Sequence, residues 1–81
     1  MASFILNPGD SRTVDTREGG DTLSLTNNHE DGEARYAIAF DQQTPTNHTL
    51  APGTSANYDL ADHETAALTN TGDLTIEVDF E

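Results

Sequence analysis

Along most of this chain apolar and polar residues alternate in short runs, and glycine, proline or clustered polar residues interrupt the runs at intervals of roughly eight to twelve residues. Thr22-Leu23-Ser24-Leu25-Thr26-Asn27 alternates strictly, which places Leu23 and Leu25 on one face and the hydroxyls on the other. Arg35 to Phe40 does the same with Tyr36, Ile38 and Phe40 against alanines, and Asp73 to Phe80 with Leu74, Ile76, Val78 and Phe80 against Thr75, Glu77 and Asp79. Less regular runs at 3–7, 11–16, 48–50, 55–60 and 64–70 bring the predicted strands to eight. Pro8-Gly9, Gly19-Gly20, Gly32, Pro45, Pro52-Gly53, Ala61-Asp62-His63 and Thr71-Gly72 supply the turns, the last read as a hairpin. No stripe of 3.6-residue period survives this punctuation, so no helix is expected.

The pattern is also doubled. Leu6-Asn7-Pro8-Gly9-Asp10-Ser11 recurs 44 positions later as Leu50-Ala51-Pro52-Gly53-Thr54-Ser55. Downstream, Val14 aligns with Tyr58, Leu25-Thr26-Asn27 with Leu68-Thr69-Asn70, and the stretch from Tyr36 to Asp41 with that from Ile76 to Glu81. The expected fold class is therefore all-β: one domain over 1–81, a small eight-stranded antiparallel β-sandwich or flattened barrel. It would be built from two similar four-strand halves, roughly 4–41 and 48–81. Neither half has enough apolar residues to fold alone, so 41–47 connects the halves without separating domains. The expected core is Phe4, Leu6, Val14, Leu23, Leu25, Tyr36, Ile38, Phe40, Leu50, Tyr58, Leu60, Leu68, Leu74, Ile76, Val78 and Phe80.

Charge changes the picture more than any motif. The 81 residues carry 15 Asp and Glu against 3 basic residues, all arginine, for a net charge of −12. Lysine and cysteine are both missing. A surface so acidic disfavours phosphate backbones, so direct nucleic-acid binding is not expected. The acidic, lysine-free, threonine-rich profile resembles proteins of extreme halophiles, whose carboxylates hold water and hydrated cations. That resemblance is compositional, covers the whole chain, and implies an environment and not a family. The opening residues lack the basic start and long apolar run of a secretory signal, and no segment approaches bilayer-spanning length. Cytoplasmic synthesis without a signal peptide and without a membrane role is the expectation, with the virion as a destination for a capsid-bound protein.

Candidate chemistry is sparse. His29, His48 and His63 fall in loops or strand starts without the i, i+2 or i, i+4 spacing that sets two imidazoles on one face. Glu30, Asp31 and Glu33 supply oxygen ligands for a loosely held cation but lack the ordered Asp-x-Asp-x-Asp-Gly of a calcium loop, so no metal site is assigned. Asn47-His48-Thr49 fits the glycosylation sequon, which arises by chance in a chain so rich in Asn and Thr. No nucleophile elbow, phosphate loop or carboxylate in an apolar setting is present, so neither catalysis nor a cofactor is expected. Ile5, Ala37, Ala39 and Ala67, with Met1, are apolar at positions facing away from the core, and together would form a strip on which another subunit could dock. Alanine also tolerates a half-exposed strand, and single exposed apolar residues are ordinary, so the strip stands beside a reading in which it has no role. The function expected is a non-enzymatic structural or interaction module adapted to high salt. Most concretely it would be a decoration or cement protein whose partners are other protein subunits, as a homo-oligomer or on an assembly such as a virus capsid. The alternative is an acidic inhibitory protein that mimics nucleic acid.

Overall fold

The structure is a computed structural model and describes residues 2–18 and 20–81, with the backbone alone for Ala2. Met1 and Gly19, the first a candidate for the strip and the second part of a turn, lie outside the described residues. The strands are β1 (Ala2–Leu6), β2 (Ser11–Asp15), β3 (Thr22–Thr26), β4 (Ala34–Phe40), β5 (Thr46–Leu50), β6 (Ser55–Asp59), β7 (Thr65–Asn70) and β8 (Ile76–Phe80). A single 3-10 turn, Thr16–Glu18, follows β2. Two antiparallel four-stranded sheets result, ordered β1-β8-β3-β6 and β2-β7-β4-β5. The all-β, eight-stranded, two-sheet architecture expected from the alternation is the one observed.

The two similar four-strand halves expected from the repeat interleave and do not each form one sheet. Each sheet takes two strands from each half. Shifting every strand by four in chain order turns β1-β8-β3-β6 into β5-β4-β7-β2, the other sheet read backwards, so the internal pseudo-two-fold exchanges the sheets. Of the successive strands only β4 and β5 pair with each other, and the remaining connections cross between sheets. Thr71-Gly72 is therefore no hairpin turn. Residues 71–75 carry the chain from one sheet to the other, which is why β8 begins at Ile76 and Leu74 is only half-buried.

The repeated words explain how this interlock closes. Asn7-Pro8-Gly9-Asp10 and Ala51-Pro52-Gly53-Thr54 are type II turns, with Gly9 at φ 84° and Gly53 at φ 73° after a proline, each closed by a backbone bond of 2.9 or 3.1 Å. Each turn is then gripped by the asparagine of the opposite half. Asn70 receives a bond from Gly9 N on its carbonyl and donates its own N–H to Asp10 O, while its side-chain amide donates to Leu6 O at 2.9 Å and Leu74 O at 2.6 Å. Asn27 repeats the set with Gly53 N, Thr54 O, Leu50 O and Gly32 O. Both asparagines are buried and fully bonded, as a polar group in an apolar core must be.

Between the sheets lie Leu6, Val14, Leu23, Leu25, Ala34, Tyr36, Ile38, Leu50, Leu60, Ala66, Leu68, Ile76, Val78 and Phe80, with Phe4, Phe40, Ala56 and Tyr58 packed at the margin. Leu74 of the expected core falls outside this set. Among the described residues no helix is long and apolar enough to cross a membrane.

Candidate functional site

The surface divides sharply by charge. Strand alternation gives the β2-β7-β4-β5 sheet an outer face of Ser11, Thr13 and Asp15 on β2, Thr65, Ala67 and Thr69 on β7, Arg35, Ala37 and Ala39 on β4, and Asn47 and Thr49 on β5. Cross-strand register aligns Ser11, Thr69, Ala37 and Asn47 in one row and Thr13, Ala67 and Ala39 in the next. The charged members stand at opposite ends of the face, Asp15 on the edge strand β2 and Arg35 at the start of the central strand β4. Asp15 is held by Arg17 at 2.6 Å, and those hydrogen bonds keep its carboxyl below the usual range. The middle of the face is neutral and built from short side chains.

The outer face of β1-β8-β3-β6 is of another kind. It carries Glu77, Asp79 and Asp59 among Ser3, Ile5, Thr22, Ser24, Thr26, Ser55 and Asn57. The other carboxylates gather in the loops at the two ends: Asp10, Glu30, Asp31, Glu33 and Asp73 at one, and Glu18, Asp21, Asp41, Asp62, Glu64 and Glu81 at the other. Loops can turn charge outward at no cost to packing, so composition and fold agree here.

The docking strip expected from the sequence is split by this arrangement. Ala37 and Ala67 sit half-buried on the neutral face, whereas Ile5, 53% exposed, is on the opposite side of the sandwich. Ala39 is only 8% exposed, being on a central strand, paired with Ala67 and one residue removed from the turn at Asp41 that bonds back onto Thr65. Strand alternation alone could not tell that Ile5 and the alanines belong to different sheets.

The three histidines are also kept apart. His29 Nε2 lies 3.0 Å from Thr75 Oγ1, His48 Nε2 lies 2.8 Å from Thr46 Oγ1, and His63 Nδ1 lies 2.7 Å from Asp41 Oδ2. Among the described residues no three His, Asp or Glu side chains converge as a metal would require, and Glu30, Asp31 and Glu33 are all exposed.

Two features were not foreseen. At the margin between β5 and β6, Tyr36 stacks on His48 with centroids 5.4 Å apart, Phe40 stacks on His63 at 4.7 Å, and the hydroxyls of Tyr36 and Tyr58 share a hydrogen bond of 2.5 Å. Burial, reinforced by that bond, pushes the Tyr36 phenol well above its ordinary range. Beside this margin, Arg35, Asn47, His48, Thr49 and Thr71 line an open concavity of about 660 Å³. A neighbouring one, about 540 Å³, shares Arg35 and Thr71 and adds Gly32, Glu33, Gly72, Asp73 and Leu74. Because Arg35, Thr49 and Thr71 are brought together by pairing between β4 and β5 and by the bond from Thr71 N to Arg35 O, no sequence spacing announced them.

No protein-family model matches the chain, and no curated protein does. Solved structures are similar in fold. A cupin superfamily protein from Desulfitobacterium hafniense DCB-2 is 25% identical with a TM-score of 0.53, over 94% of this chain and 60% of that one. A de novo designed double-stranded β-helix is 21% identical with a TM-score of 0.54, over 99% and 96%. A chain in the structure of Drosophila melanogaster CENP-C bound to CAL1 is 14% identical with a TM-score of 0.56, over 98% and 62%. The chain thus spans less than two thirds of the Desulfitobacterium protein and nearly all of the designed one. Its two interleaved sheets form a cupin-like double-stranded β-helix.

Proposed function

We propose that this protein is a non-enzymatic interaction module, adapted to high salt, that docks through the outer face of its β2-β7-β4-β5 sheet onto a larger repetitive protein assembly such as a virus capsid. The observation that carries this reading is the neutral middle of that face in a chain of net charge −12. Short Ser, Thr and Ala side chains allow a flat partner to approach closely, and they lose little rotamer freedom when covered. Carboxylates kept out of the middle of that face, most of them in the end loops, would remain in brine after docking. A nucleic-acid mimic calls instead for carboxylates in a stripe along one face, at a spacing near one per 1.7 Å of duplex axis.

Co-sedimentation with intact particles from the same source, at about 2–4 M salt so that long-range repulsion is screened, tests this. Ala67→Glu and Ala37→Asp each place a carboxylate in the middle of the neutral face and are expected to weaken binding at least about tenfold, the scale of one desolvated charge. Asn57→Asp, on the other sheet, is expected to leave binding unchanged. Equal loss from all three variants, or no binding by the parent chain, overturns the proposal.

A further inference from the structure

We infer that the concavity beside Arg35 is a binding site for a carboxylate group, presented by a small molecule or by an acidic side chain of a docked protein. The chain's three arginines are differently engaged. The Arg17 guanidinium is bonded to Asp15, and that of Arg12 lies 4.3 Å above the ring of Phe4. Arg35 is exposed on the outer face of the β2-β7-β4-β5 sheet, and among the described residues no carboxylate lies within 4.0 Å of its guanidinium. Arg12 likewise has no carboxylate within 4.0 Å among the described residues, but its guanidinium is stacked on Phe4; Arg35 makes neither kind of contact there. Its surroundings are selective as well. The residues lining the larger concavity with it are Asn47, His48, Thr49 and Thr71, all able to donate a hydrogen bond and none acidic. Glu33 and Asp73 line the adjoining hollow, which shares Arg35 and Thr71, and neither lies within 4.0 Å of the guanidinium.

A guanidinium presents a planar fork that matches the two oxygens of a carboxylate, and bonds of this kind are roughly twice as strong as neutral ones. Thr49 is the cross-strand partner of Arg35, and Asn47 is the partner of Ala37 on the same face, so an amide and a hydroxyl line the concavity with Arg35. Thr71 is tied to the Arg35 backbone by the bond from Thr71 N to Arg35 O at 3.1 Å. The volume of about 660 Å³ is that of a small-ligand pocket, although this one is open to solvent. An exposed acidic side chain would enter from above the sheet, on the face through which docking is proposed. The site stands on its own chemistry, so it survives even if that docking does not occur.

The experiment is a titration of the ¹⁵N-labelled full chain with acetate and with malate, followed by NMR at constant ionic strength set with chloride. Saturable shifts are expected at Arg35 Nε, the Asn47 side-chain amide and the backbone amides of Thr49 and Thr71. Arg35→Gln is expected to weaken the apparent affinity at least about tenfold, as loss of a charged hydrogen-bond pair implies, with Arg35→Lys in between and Arg12→Gln unchanged. Non-saturating shifts, shifts shared equally by Arg12 and Arg17, or wild-type affinity in Arg35→Gln overturn the inference. Sulfate binding more tightly than either carboxylate overturns the assignment of ligand class. A second arm repeats the particle co-sedimentation with Arg35→Gln. Loss of docking there supports a partner's acidic side chain as the source, and unchanged docking beside saturable malate binding supports the small molecule.

Discussion

Asn27 and Asn70 show at the level of single residues how a polar side chain can hold an apolar core together. Each amide nitrogen donates to two carbonyls, and each amide oxygen accepts a backbone N–H, from His29 in one half and Gly72 in the other. Removing the side chain strands those buried groups at about 1–3 kcal/mol each, so Asn27→Ala and Asn70→Ala should each lower unfolding free energy by about 3 kcal/mol in a denaturant melt. Asn27→Asp should be no milder, since a carboxylate accepts but cannot donate to Leu50 O. Asp41 makes the complementary case at the surface. It accepts from Glu64 N at 2.6 Å and lies beside His63, whose hydrogen bond is the chief reason its carboxyl titrates below the usual range. A carboxyl depressed in the folded state contributes stability that is present above its unfolded pKa, near 3.9, and is lost as pH falls through the lower folded value. Asp15, depressed by Arg17, shares that sign and window. Stability measured downward from about pH 4 should therefore fall less steeply in Asp41→Asn than in the parent chain, and an identical slope would refute the assignment.

Elements were legible where burial is one-sided and strong. Leu23 and Leu25, or Ile76, Val78 and Phe80, alternate because one face meets the core; β3 was placed nearly to the residue, whereas β8 was begun three residues early, at Asp73. β5 was legible only at its end: Thr46, Asn47, His48 and Thr49 are all exposed on an edge strand, so no apolar beat marks them. Turn chemistry fixed where the chain bends but not whether it turns back in the same sheet or crosses to the other. The residues at Thr71-Gly72 serve either purpose, whereas the true hairpin, β4 to β5, lacks the Asn-Gly or Asp-Gly that would have announced it. That hairpin instead sets Asp41 at φ 52° and Gln42 at φ 63°, closed by the bond from Gln43 N to Phe40 O. Asp tolerates the left-handed region, and here its carboxylate is anchored; Gln42 gains no such anchor and bears a cost on the order of 1 kcal/mol. Gln42→Gly should relieve it and raise stability by up to about 1 kcal/mol, offset in part by the added freedom of the unfolded chain. A thermal melt showing destabilisation would mean that the Gln42 side chain makes a contribution the turn geometry does not reveal.

For the molecule as a whole, the doubled sequence announced symmetry but not that the axis swaps the sheets, because the repeat is equally consistent with halves side by side and halves interleaved. What decides is the cross-grip of each asparagine on the other half's Pro-Gly turn, a contact between residues more than twenty positions apart that leaves no local trace. Charge was wholly legible in amount and not in placement: the sequence could not show that the middle of one sheet face is spared, or that Arg35 stands among donors. Amount alone still yields a prediction. Carboxylates cluster in loops at both ends of a body measuring 35 × 25 × 17 Å, so at about 0.01 M salt, where the Debye length is near 30 Å, every cluster feels every other. At about 1 M that length is near 3 Å, shorter than the separation of most carboxylates, and repulsion disappears as a force on the fold. The unfolded chain spreads the same charges over a larger volume and gains less from screening. The melting temperature should therefore climb steeply between about 0.01 and 0.3 M chloride and then level off if screening is the entire effect. At low salt, bringing the pH from 7 toward about 5 should act in the same direction by beginning to remove charge, before the losses at Asp15 and Asp41 set in below about pH 4. A rise that continues through several molar, with potassium and sodium unequal, would mean that the carboxylates bind hydrated cations in the folded state beyond what screening supplies. A melting temperature independent of salt would remove the electrostatic premise on which the high-salt reading stands.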